Sequence, residues 1–190
     1  MENRTVMSEF ILLGFPNTNG QKTILFISFL AFYICTLPGN LLISSAILAD
    51  SCLHIPMYIF LCNLFMVDLG FASIITPKLL VSLWAKSRTI SLGGYMSQVV
   101  FYHFLGCTEG LLYTAMAFDK YVAICHPLRY LIIMNWRVCA ILAAGTWVTS
   151  YLHATILTSL TFMLPYCGPN VVDNFFCDIF PVMKLACADT

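Results

Sequence analysis

Four long stretches of the chain are apolar with few interruptions, and short polar stretches separate them. They fall at about 23–49, 57–83, 95–125 and 138–164. Each exceeds the roughly 20 residues that a helix needs to cross a bilayer. Pro38-Gly39-Asn40 lies inside the first. Membrane helices tolerate such residues because neighbouring groups re-satisfy the freed backbone. Asn40 is polar at membrane depth, so it is expected to face other helices. In the third stretch Tyr102, Gly106, Glu109, Tyr113 and Lys120 recur at three-, four- and seven-residue steps. That is helical spacing, and the stripe is expected to face the bundle. The pattern predicts an all-α membrane protein with a polar tail at 1–22, four helices within 23–164 and a polar loop segment at 165–190.

Composition agrees. Hydrophobic residues make up 60% of the chain, charged residues 9%, and the mean hydropathy is +0.87. Soluble domains carry about a quarter charged residues. The formal net charge is zero, which gives no support to a nucleic-acid partner. The first 21 residues are too polar, and Phe10-Ile-Leu-Leu13 too short, for a cleaved signal peptide, so the first helix is expected to act as a signal-anchor. Asn3-Arg4-Thr5 is a glycosylation sequon, which suggests an outside N-terminus beside such an anchor.

Chemistry-bearing residues are few. Asp68 falls near the middle of the second helix and Glu109 about halfway along the third. A carboxylate at membrane depth costs a few kcal/mol, on the order of 2.5–3.5, so both need partners. The pair could share a cation or act as a proton relay. Gly-x-Ser-x-Gly, phosphate-loop, His-Glu-x-x-His and Cys-x-x-Cys patterns are absent, so no enzyme is expected. His103 and His153 read as packing or hydrogen-bonding residues. Of nine cysteines, Cys35, Cys52, Cys62, Cys107, Cys125 and Cys139 lie in or beside helices and read as packing residues. Cys167, Cys177 and Cys187 suit an oxidising compartment, and their odd number leaves one without a partner in the segment.

Met116-Ala-Phe-Asp-Lys-Tyr-Val-Ala-Ile-Cys-His-Pro-Leu-Arg-Tyr130 closes the third helix. It resembles the hallmark of the olfactory receptors, a branch of the rhodopsin-like G-protein-coupled receptors, except that Lys120 stands where the family has Arg. Gly39-Asn40, Pro56-Met-Tyr58, Asn63-Leu-Phe-Met-Val-Asp68-Leu, Cys167-Gly-Pro-Asn170 and Phe176-Cys-Asp178 resemble the family in the same way. The resemblance runs through the whole chain but reaches only the first four of seven helices and the second extracellular loop. The expected fold is therefore a truncated seven-helix bundle.

The resemblance implies an odorant receptor that couples binding of a volatile small molecule to a stimulatory G protein. By position Tyr102, His103, Gly106 and Cys107 would line this chain's share of the pocket. Asp119, Lys120 and Tyr121 would serve G-protein coupling, and Asp68 and Glu109 a sodium site. In the family the cysteine matching Cys177 bridges to the top of helix 3, where this chain has Tyr95. Cys107 lies 12 residues further on, about 18 Å deeper at 1.5 Å per residue, and cannot replace it. A Cys167–Cys187 bridge with Cys177 free is the expected arrangement.

The family topology puts the N-terminus outside a plasma membrane crossed several times. Lys120, Arg129 and Arg137 then lie inside, while Arg4, Lys22, Lys86, Arg88 and Lys184 lie outside, against the positive-inside tendency. The sequon, the loop cysteines and the shared topology outweigh that count. A second reading is a non-signalling truncated product, retained in the endoplasmic reticulum or associated with full-length receptors. A tetraspanin is disfavoured, since the loop has Cys-Gly-Pro where that family has Cys-Cys-Gly.

Overall fold

The computed structural model describes residues 9–12, 19–49, 55–84, 89–166, 171–172 and 177–186. Asn3, Cys52, Cys167 and Cys187 lie outside the described residues, and with them the expected glycosylation and Cys167–Cys187 bridge. The long helices are α1 (Asn19–Ala49), α2 (Pro56–Trp84), α3 (Leu92–Cys125) and α5 (Trp136–Phe162). Between α3 and α5 come a single 3-10 turn, Pro127–Arg129, and the short α4 (Tyr130–Ile133). The short α6 (Ile179–Met183) follows α5. Three strands, β1 (Glu9–Leu12), β2 (Thr89–Ser91) and β3 (Val171–Val172), complete the described elements.

Local chemistry sets the helix ends. The Ser91 hydroxyl accepts from the Gly94 N–H at 3.2 Å, capping α3. Asn135 caps α5 by accepting from Val138 N–H at 3.0 Å, so that helix starts before the expected residue 138. Pro127 follows α3 closely and cannot supply an N–H to extend it. Inside the helices, hydroxyls turn back onto their own backbone. Thr108 donates to Phe104 O, Thr146 to Ala143 O and Ser150 to Thr146 O, all between 2.7 and 2.8 Å. Such bonds satisfy polar groups where water is scarce. Asn40, expected to reach other helices, donates to Thr36 O of its own helix at 3.1 Å.

Among the described residues three helices are long and apolar enough to cross a membrane: Gly20–Ala49, Pro56–Leu83 and Trp136–Phe162. The expectation was four. α3 has the length, but Gln98, His103, Glu109, Asp119 and Lys120 dilute its apolar run.

The chain forms two compact units, each built from parts of several helices. Unit 1 comprises Met1–Tyr33, Ser73–Tyr102 and Ala154–Thr190. It contains the sheet, in which β1 is central, antiparallel to β2 and parallel to β3. Phe10 and Leu12 are buried and Ile11 between them is less so, the two-residue period of a strand with one covered face. Phe10, Leu12, Ile90, Tyr95, Val99, Val172, Cys177, Ile179 and Val182 form one apolar core.

Unit 2 comprises Ile34–Ala72 and His103–His153. Here α3 buries Leu105, Thr108, Leu112, Ala115, Asp119 and Val122, again at three- and four-residue steps. This covered face is not the predicted polar stripe, for Gly106 and Lys120 are exposed and Tyr113 is 51% exposed. Periodicity marked a face, but the bulky apolar positions beside it took the packing. α2 and α3 approach closely at Gly70, where a Cβ would meet Leu105 Cδ1 at 2.9 Å. Small residues permit such approach in membrane bundles.

Candidate functional site

Most candidate residues lie along α3, and the structure separates them into three places. The first is a stripe at the middle of the helix. Tyr102, His103 and Cys107 are half-buried and Gly106 is exposed. Cys107 is a free thiol. A Cβ on Gly106 would meet the Phe71 ring of α2 at 3.8 Å, ordinary contact. Next to the stripe, Phe104 sits edge-on to Tyr151 and tilted on Trp147, with ring centroids 6.0 and 5.4 Å away. The Trp147 indole N–H donates to Asn63 Oδ1 at 2.8 Å, joining α5 to α2. That pairing was not foreseen. Its signal was an amide and an indole, each carrying a donor or acceptor that a lipid environment leaves unmet.

The second place is the carboxylate pair. Asp68 and Glu109 both belong to unit 2, on α2 and α3, and both are half-buried. The Tyr113 hydroxyl donates to Glu109 Oε1 at 2.9 Å. The donor set is two carboxylates, hard oxygen ligands suited to a hard cation or a proton rather than a soft metal. No group of three or more His, Cys, Asp or Glu residues suited to a metal occurs among the described residues. A cation here would therefore need water or backbone oxygens to complete its shell.

The third place is the end of α3. Asp119 is only 2% exposed and accepts from the Tyr130 hydroxyl at 2.8 Å. Tyr130 begins α4, so this bond ties the loop after α3 to the helix itself. Burial first, and the Asp119 carboxylate second, push the Tyr130 phenol up to about 12. Lys120 and Tyr121 are exposed. The Tyr121 ring lies edge-on to His126, with centroids 6.2 Å apart. Leu128, in the Pro127–Arg129 turn, is 97% exposed beside the basic Arg129. Neither Tyr130 nor Leu128 was singled out from the sequence, although both lie within the quoted motif.

In unit 1, Cys177 is a free and fully buried thiol. Burial pushes it up to about 12, against the opposing pull of the nearby Lys78 ammonium. Tyr95, which stands where the resemblance led one to look for a cysteine, packs in the same core.

A family model for olfactory receptors matches residues 29–190. Over the full chain, mouse (Mus musculus) olfactory receptor 10D1B is 57% identical, mouse olfactory receptor 10D3 is 54% identical and human (Homo sapiens) olfactory receptor 10D3 is 53% identical. The chain spans 61% of the length of each of these relatives.

Proposed function

The chain belongs to the olfactory receptor family, and from that membership we propose that it serves an odorant receptor coupling a volatile small molecule to a stimulatory G protein. The family is one of receptors, not enzymes, and the chain is a multi-pass membrane protein. The observation that carries the coupling proposal is the end of α3. Asp119 is buried and held by Tyr130, while Lys120, Tyr121 and the apolar Leu128 face outward beside it. This is a fixed base presenting basic and apolar groups, the combination a protein partner can bury and pair. Tyr102, His103, Gly106 and Cys107 contribute one wall of the odorant site. Asp68 and Glu109 share a sodium ion or a proton. The N-terminus lies outside the plasma membrane and the Lys120 end faces the cytoplasm.

Lys120 bears on how well the partner is engaged. An ammonium is a compact, strongly hydrated charge, whereas a guanidinium offers a planar fork of donors. The test joins this chain to the part of the mouse 10D1B relative that it does not span and measures cyclic AMP against an odorant panel. The expected result is odorant-dependent signal that rises in the Lys120→Arg variant and falls several-fold in Leu128→Asp, with equal surface expression. No signal from any of the three at normal surface levels would overturn the coupling proposal. It would favour the non-signalling reading, to which the Lys at 120 lends its weight.

A further inference from the structure

The α6 segment of unit 1 buries Ile179 and Val182 in the core, and Ala186 just after it pairs with Tyr166. Its first turn is capped locally, with the Asp178 carboxylate accepting from Ile179 N–H at 2.7 Å. Tyr95 fixes its start by hydrogen bonds. One hydroxyl donates to Asp178 O at 2.7 Å and accepts from Asp178 N–H at 3.1 Å, so it satisfies both backbone groups of a residue 83 positions away. The ring below that hydroxyl is fully buried. It packs against Phe10 at 5.0 Å and edge-on to Phe162 at 6.1 Å. Phe10 is in turn held by β1, whose backbone pairs with β2 on one side and β3 on the other. Cys177 sits under this assembly, adjacent to the clasped residue, with no exposed surface.

We propose that β1 and the Tyr95 hydroxyl form a noncovalent latch that holds the Cys177–Met183 segment in place, and that release of this latch is the local opening by which the Cys177 thiol becomes accessible. The latch contains no redox-active bond, so its closure is independent of reductant. Its opening is a local event, separate from global unfolding. Cys139, buried in unit 2, supplies the internal reference for unfolding of the rest of the chain.

The experiment follows N-ethylmaleimide modification of the full chain in lipid nanodiscs, read peptide by peptide in a mass spectrometer. Tyr95→Phe removes both hydrogen bonds and keeps the ring. Cys177 is expected to react about tenfold faster in that variant, with Cys139 unchanged. Phe10→Ala, which leaves the hydroxyl but removes its apolar backing, is expected to accelerate Cys177 in the same way. Equal Cys177 rates in Tyr95→Phe and the parent overturn the proposal. So does a matched rise at Cys139, which would mean that the hydroxyl stabilises the whole fold. Acceleration by Tyr95→Phe but not Phe10→Ala would remove β1 from the latch and overturn it as stated.

Discussion

Tyr130→Phe lowers the unfolding free energy by about 1–3 kcal/mol, because it leaves the buried Asp119 carboxylate without the donor the structure gives it. A domain of this size loses roughly 2–4 °C of melting temperature for each kcal/mol. Asp119→Ala in the Tyr130→Phe background is expected to recover part of the loss, since the stranded acceptor is gone. A double-mutant cycle on thermal melts measures this coupling. The pH dependence has a definite sign. Tyr130 titrates at about 12 in the folded chain, above the roughly 10 of an unperturbed phenol. Its contribution is whole below pH 10 and is lost as pH rises toward 12, so parent and Tyr130→Phe melts converge over that window. Curves that stay parallel from pH 8 to 12 would mean that the hydroxyl bond contributes nothing to stability.

The second large effect concerns the carboxylate pair. Two carboxylates held at membrane depth need a counter-charge. In the proposed role a sodium ion supplies it, and added sodium stabilises the fold by mass action. At a tenfold excess over the dissociation constant that is about 1.4 kcal/mol. Glu109→Gln removes one of the two charges and with it the need for the cation. Its melting temperature should not respond to exchanging potassium for sodium at constant ionic strength, while the parent's rises by a few degrees. Tyr113→Phe should raise the sodium response, because Glu109 loses the phenol that now partly satisfies it. A parent chain indifferent to the exchange would leave the pair with a shared proton alone.

Much of this was legible in the apolar pattern. Long runs gave the long helices because a helix in lipid satisfies its own backbone and needs little from elsewhere. The strands were not legible. β3 has two residues and β2 three, too short for a period to register. Their pairing depends on β1, whose Phe10, Ile11 and Leu12 drew notice only as part of an apolar run. The stripe on α3 was found, yet not the face that packs. Leu105, Leu112 and Val122 lie beside the polar positions and bury more apolar area when covered. Asp119 was singled out, but its partner was not, because Tyr130 reaches it only through the turn at Pro127–Arg129. The Asn63–Trp147 bond spans 84 residues, and nothing local announces it.

Coupling to a cytoplasmic G protein requires the proposed sidedness, with the tail outside and the Asp119–Lys120–Leu128 end inside. It is tested by labelling Leu128→Cys with a membrane-impermeant maleimide in cells opened with digitonin, which leaves internal membranes sealed. The 97% exposure of Leu128 makes the introduced thiol a usable probe. The predicted result is labelling of position 128 under these conditions, together with an endoglycosidase-sensitive glycan on Asn3. Protection of position 128 until detergent is added, with Asn3 unglycosylated, would contradict it.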